Sequence, residues 1–225
     1  MIRISRPLRV DSPLYPGTPP PSMVTFRSLE MGDSSGSSLI TVHSHSGTHL
    51  DAPRHFCPGG AATDQVCGGE LVLAPALCMD LPRTGDHRIG PADLREAGRD
   101  LRGVRALLIR TGSARPSDPG RSATGYPWID PSVPPFLREE CPTLRLLGVD
   151  TLSIASPLHR EEGRACHRAF LCGSPPVLLL EDLDLAPVTG PGWIWRLRII
   201  PWLHAPLDGV PVTAFLEDTG GFPAP

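Results

Sequence analysis

The chain has 225 residues, long enough for one well-buried core and short for two ordinary domains, so a single domain over residues 1–225 is expected. Hydrophobic residues make up 40% and charged residues 20%, the net charge is −3 and no run of like charge occurs, which argues against a disordered chain, a nucleic-acid arm or a polyanionic partner. The 28 prolines and 23 glycines, spread along the chain, favour short strands with ordered loops over a helical bundle.

In chain order, Met1-Ile-Arg-Ile-Ser lacks the apolar stretch of a secretory signal, and no later run approaches the roughly 20 apolar residues of a membrane helix. A cytoplasmic protein with no membrane partner is expected. Prolines in Ser12-Pro-Leu-Tyr15-Pro-Gly-Thr-Pro-Pro-Pro forbid a regular ladder and fix an extended arm or turn. Residues 23–29 and 38–45 read as two strands of a hairpin, turned by Gly32, Asp33 and Gly36 and leading into a histidine cluster. Beyond it, strands are expected at 71–73, 104–112, 144–150, 176–181 and, as the last long strand, 193–200. Helices are expected at 91–97, with proline in its first turn, at 134–140 and at 161–172, and a loop from Gly112 to Pro127. The sum is a mixed α/β domain with much sheet and few helices. The six cysteines, Cys57, Cys67, Cys78, Cys141, Cys166 and Cys172, contain no Cys-x-x-Cys pair, so reduced and mostly buried thiols are expected.

Four of the eight histidines, His43, His45, His49 and His55, crowd with Asp51 into thirteen residues. On a strand, His43 and His45 would share one face, and Gly47 would let the backbone turn so that His49 and Asp51 converge on the same point. Imidazoles with a carboxylate suit zinc, iron or manganese. A lone histidine such as His43 is more often structural, whereas the set His45, His49, Asp51 and His55 points to a metal with an open position. A closed structural zinc site drawing on Cys57 remains the alternative.

The run His45-x-Gly-Thr-His49-x-Asp51-x-Pro-x-His55-Phe resembles the signature of the metal-dependent cyclase-like hydrolases, the family that includes kynurenine formamidase and isatin hydrolase. Tyr15-Pro-Gly, Leu108-Ile-Arg-Thr-Gly and Leu207-Asp-Gly-Val-Pro-Val-Thr-Ala extend the resemblance. It implies a barrel-like mixed sheet of swivelling β/β/α type and two divalent ions, zinc or else manganese. His45, His49 and Asp51 would hold one ion and His167 the other, with Asp51 and Glu181 bridging. His55 would transfer protons and Tyr15 would line the substrate pocket. It also implies a homodimer or homotetramer and hydrolysis of an amide or lactam C–N bond by metal-activated water. Three points depart from the family pattern: the Ser174-Pro-Pro loop lengthens the interval from His167 to Glu181, Tyr15 stands where an indole is common, and His159 competes with His167 as ligand. A cyclase or dehydratase using the same ions, and a metal-binding protein without catalysis, stay open.

Overall fold

The computed structural model describes residues 1–112, 123–189 and 194–218. Twelve strands are present among them: β1 (Ile2–Arg3), β2 (Ser22–Arg27), β3 (Ser37–Thr41), β4 (His49–Asp51), β5 (Leu71–Asp80), β6 (Arg88–Ile89), β7 (Ala106–Arg110), β8 (Trp128–Ile129), β9 (Leu146–Val149), β10 (Leu178–Glu181), β11 (Ile194–Pro201) and β12 (Gly209–Asp218). Four α-helices accompany them: α1 (Thr63–Cys67), α2 (Pro91–Glu96), α3 (Val133–Glu140) and α4 (Arg160–Leu171). No helix is long and apolar enough to cross a membrane, among the described residues.

The main sheet runs β12-β11-β5-β7-β9-β10-β4 and closes on itself where β4 pairs back onto β12, with β1 added alongside. The strands β5, β7, β9 and β10 are mutually parallel and the remaining pairs antiparallel, so the sheet is the mixed, barrel-like one expected. Closure of these seven strands pairs the β4 edge that an open sheet would expose.

Side-chain alternation divides the core in two. Ala106, Leu108, Leu146, Leu178, Leu180 and Leu50 fill the barrel interior. Their neighbours Leu107, Ile109, Leu147 and Leu179 point outward, where α2, α3 and α4 cover them. The cover of α4 follows from its sequence. Gly163, Cys166, His167, Phe170 and Leu171 recur at helical spacing and form its buried stripe, and Glu161 and Glu162 occupy the first turn, where acidic groups favour a helix.

Three expectations need correction. Strand β11 is not the last long strand, because β12 follows and carries the closure. A proline and a glycine in Gly209-Val-Pro-Val hid the start of β12, yet Pro211 is tolerated because the β11 register ends at Val212, leaving Pro211 just beyond it, where its carbonyl accepts from the Trp202 amide. Strand β3 ends at Thr41, so His43 and His45 sit in the turn beyond it and not on a shared strand face. Cys57 and Cys172 form a disulfide, their Cα atoms 5.6 Å apart, although 115 residues separate them in sequence, so only four cysteines are free. Most of the Gly112–Pro127 loop (113–122), and Trp193, lie outside the described residues.

Candidate metal centre

Pairing of β4 with β10 builds the centre. In their antiparallel register Glu181 lies opposite His49, Leu180 opposite Leu50, and Leu179 opposite Asp51. Leu50 and Leu180 belong to the barrel interior, so the pleat turns His49, Asp51 and Glu181 to the outer face, beneath α4. His167, on the buried stripe of α4, completes the enclosure from above. All four side chains are buried.

Both carboxylates present different oxygens to different histidines. His49 Nε2 lies 3.5 Å from Asp51 Oδ1 and 3.4 Å from Glu181 Oε2. His167 Nε2 lies 3.7 Å from Asp51 Oδ2 and 3.5 Å from Glu181 Oε1. The far nitrogens are fixed by backbone: His49 Nδ1–H donates to the Gly47 carbonyl and His167 Nδ1–H to the Gly163 carbonyl, each at 2.8 Å. Because a carbonyl only accepts, each Nδ1 keeps its proton, and each Nε2 is the nitrogen turned to the carboxylates, the one a metal would take on displacing its proton. Gly47 allows this with a φ of +62°, in the left-handed region. Glu181 Oε1 also accepts from Ser153 Oγ at 2.9 Å and from the Ile154 amide at 2.8 Å.

His45 stands beside this group, its Nδ1 2.8 Å from Asp51 Oδ1 and its Nε2 2.8 Å from Asp208 Oδ2. His55, at the end of the 3-10 turn Pro53–His55, stacks on His45 with centroids 4.0 Å apart and places Nδ1 3.3 Å from Asp208 Oδ2. The seven residues singled out in the sequence thus face one cavity of about 300 Å³, in the size range of small-molecule sites. Tyr15, Phe56 and Leu152 give it apolar walls, and Arg160 and Arg164 line its rim. His43 also reaches the rim but joins no group of potential ligands among the described residues. His159 is not at the centre: it pairs with Asp86 at 2.6 Å and stacks on Trp128, away from the carboxylates that His167 faces. Cys57 is committed to its disulfide. Trp195 is buried in the barrel and Trp202 is exposed, and neither lines the cavity. Arg110 pairs with Asp80, and Thr111 donates to Asp150 at 2.7 Å, so both serve the loop ends they occupy.

The electrostatics of the cluster are those of bases awaiting a cation. Burial would depress the His45 imidazolium, but Asp51 and Asp208 on its two nitrogens outweigh burial and push the pKa up to about 10. His49 and His167, fully enclosed, are likewise raised by Glu181 against the opposing effect of burial. Burial would raise the Glu181 carboxyl, yet the two imidazoles hold it well below the usual carboxylate range. His55 differs, since burial lowers its pKa and keeps it neutral near pH 7. Asp51 Oδ2 is buried with no hydrogen-bond partner. An unmet anionic oxygen inside a protein is costly, so the donor set and this orphaned atom both fit a divalent cation.

Sequence reasoning missed Asp208 as a member of the site, along with Ser153 and Ile154, which steady Glu181. Asp208 stood in a segment that carried the family resemblance, but 163 residues separate it from His45 and no spacing rule links them.

Comparison with known proteins gives the same placement. A model of the family described as "Putative cyclase" matches residues 2–156. The kynurenine formamidase of Geobacillus thermodenitrificans (strain NG80-2) is 33% identical over 221 residues, covering 97% of this chain and 98% of that protein. That of Bacillus thuringiensis (strain Al Hakam) is 32% identical, covering 96% of each. Among solved structures, a potential metal-dependent hydrolase with cyclase activity superimposes with a TM-score of 0.72 at 24% identity, over 96% of each chain. Isatin hydrolase A from Labrenzia aggregata does so with a TM-score of 0.71 at 19% identity, over 95% of this chain and 91% of the other. Fold, donor set and relatives together define a metal-dependent hydrolase. The chain belongs to the cyclase family.

Proposed function

We propose that this protein hydrolyses the C–N bond of a small amide or lactam, of arylformamide or isatin type, using two divalent ions, zinc or else manganese. One observation carries the reading: Asp51 and Glu181 each offer one oxygen to the His49 side and the other to the His167 side. Two cations sharing both carboxylates would use that arrangement, with His45, His49 and Asp51 on one ion and His167 on the other. When bound, such ions acidify water to near neutrality, with a pKa of about 7 for zinc, and polarise an amide carbonyl.

The remaining work belongs to the chain. Tyr15, Phe56 and Leu152 hold the aromatic body of the substrate and keep bulk water from the reacting bond. His55, neutral at rest because burial lowers its pKa, takes the proton that the attacking water releases and delivers it to the departing nitrogen. Gly163 and Gly47 carbonyls keep His167 and His49 facing the ions throughout. The apolar, exposed hairpin of β2 and β3 supports a homo-oligomer as the working form.

Metal analysis of the purified protein, followed by assay on N-formylkynurenine, isatin and small lactams with and without chelator, tests the proposal. Two ions per chain and chelator-sensitive amide cleavage are expected; a metal-free active enzyme would overturn it. The second reading, ring closure or dehydration by the same ions, draws support from the structural relative described as having cyclase activity. Bound metal with every amide and ester left intact would favour it.

A further inference from the structure

We propose that Asp208 is a positioning residue, whose single oxygen Oδ2 locks the ring of His45 and the ring of His55 together in one tautomeric arrangement. The inference rests on the reading of His45 as a metal ligand and His55 as the proton carrier.

Its foundation is geometric. Asp208 Oδ2 lies 2.8 Å from His45 Nε2 and 3.3 Å from His55 Nδ1, and the two rings stack with planes 29° apart, so one oxygen bridges the edges of a stacked pair. A carboxylate accepts and does not donate, so His45 Nε2 donates its proton to Asp208, and the same anion, within ion-pair distance of His55 Nδ1, favours the His55 tautomer that carries its proton there. In neutral His55 this leaves Nε2 unprotonated, and on His45 it keeps one proton at Nε2 when a cation displaces the other from Nδ1. His45 Nδ1 is turned to Asp51, where a cation would sit, and His55 Nε2 is the nitrogen left for substrate. This joins two recognised roles in one side chain: the carboxylate that orients and strengthens a metal-binding imidazole, and the carboxylate that fixes the tautomer of a proton-transfer histidine.

The seat is built for the task. Asp208 Oδ1 accepts from Ser44 Oγ at 3.3 Å, and the Asp208 carbonyl accepts from the Ala52 amide at 2.9 Å, tying the head of β12 to the exit of β4. The next residue is Gly209, where a Cβ would fall 2.4 Å from His45 Cε1, so the His45 ring fits only against a glycine at that position. A carboxylate placed merely for stability would not need two imidazoles of the same centre on one oxygen. Nor would it stand with its side chain 41% exposed at the open edge of the site.

Asp208→Ala and the isosteric Asp208→Asn separate the possibilities, with circular dichroism as the check on folding. Zinc affinity is measured by competition with a chromophoric chelator, and the His55 tautomer by long-range proton–nitrogen NMR of the zinc-loaded protein. The wild type should hold His55 as the Nδ1–H tautomer. Asp208→Ala should weaken zinc binding about 10–100-fold and move His55 to a mixture of tautomers. Asp208→Asn, which keeps one acceptor oxygen, should fall between. With zinc saturating, kcat should fall at least 10-fold while KM changes less than twofold, because substrate contacts are untouched. Wild-type zinc affinity together with an unchanged His55 tautomer in Asp208→Ala would overturn the proposal. Failure of the functional reading is recognised separately: if the wild type cleaves no amide, the affinity and tautomer measurements still decide the role of Asp208.

Discussion

His55 and the three histidines closest to the carboxylates are distinguished by what surrounds their nitrogens. His49 and His167 face buried carboxylates with Nε2 and are tethered to backbone carbonyls by Nδ1, the posture of ligands. His55 comes within 4.8 Å of the buried Asp51 in a group with His45, but its ion-pair contact is to the partly exposed Asp208, its own side chain is 28% exposed, and burial lowers its pKa. His55→Ala should therefore keep its metal and lose turnover by about 10²–10⁴-fold, the usual worth of general acid–base catalysis. Parallel metal analysis and kcat measurement check this, and undiminished hydrolysis would assign the proton to another group. A second outcome follows from His45. Its pKa near 10 in the metal-free chain means that a cation must displace a proton from it at neutral pH. Apparent metal affinity should thus rise with pH across the neutral range, and calorimetry in buffers of different ionisation enthalpy should register proton release on binding. The metal-free fold should respond in the opposite sense. A histidine whose folded pKa exceeds its unfolded value of 6.5 stabilises fully below pH 6.5, and that contribution is lost as pH rises toward 10. Melting of the chelated protein from pH 6.5 to 10 measures the loss. At this scale the sequence was informative because the ligands crowd into His45–Asp51, whereas Asp208 was invisible as a partner, joined to His45 only by folding.

Among elements, the strand pair β4–β10 and the helix α4 place the site, and each was legible to a different degree. Helix α4 was, because its apolar stripe and acidic first turn are local signals, and its observed span of Arg160–Leu171 sits one residue from the expected 161–172. The three-residue β4 was not read as a strand. It is too short for periodicity to register, and what makes it a strand is pairing with β10 and β12 on its two edges. The placing of His43 and His45 on a strand failed for a related reason: Leu39-Ile-Thr-Val has strand propensity, but the chain must leave β3 to bring His45 over Gly209. The disulfide had no sequence signal at all. It joins the segment just after His55 to the residue that follows α4, the helix that carries His167, so it braces two walls of the cavity. Closing a 115-residue separation, Cys57→Ser should cost about 2–4 kcal/mol, or a fall in Tm of roughly 5–15 °C for a chain of this size. Calorimetry with and without reductant checks it. A wild type whose Tm ignores reductant would show that the bond does not form in solution.

For the whole molecule, the barrel accounts for every strand of the main sheet, but the hairpin of β2 and β3 stands outside it as a separate two-stranded sheet. Its register puts Met23 opposite Ile40 on one face and Val24 opposite Leu39 on the other, so both faces are apolar. Phe26 is 69% exposed, Leu39 57% and Val24 51%. An isolated two-stranded hairpin is marginal in water, and a contiguous apolar surface of this kind usually marks an interface. The hairpin runs straight into His43 at the cavity rim, so a partner copy packed on it would also border the site. The pair Val24→Glu with Leu39→Lys tests this while sparing the hairpin, since the new charges stand directly opposite and attract across the strands. Two buried apolar side chains contribute about 1.5–3 kcal/mol each, so removing them from both copies should weaken assembly by well over 10-fold. Light scattering across a concentration series should then find a monomer where the wild type is an oligomer. A wild type that is monomeric at every concentration, or a variant that keeps the wild-type mass, would assign the hairpin another purpose.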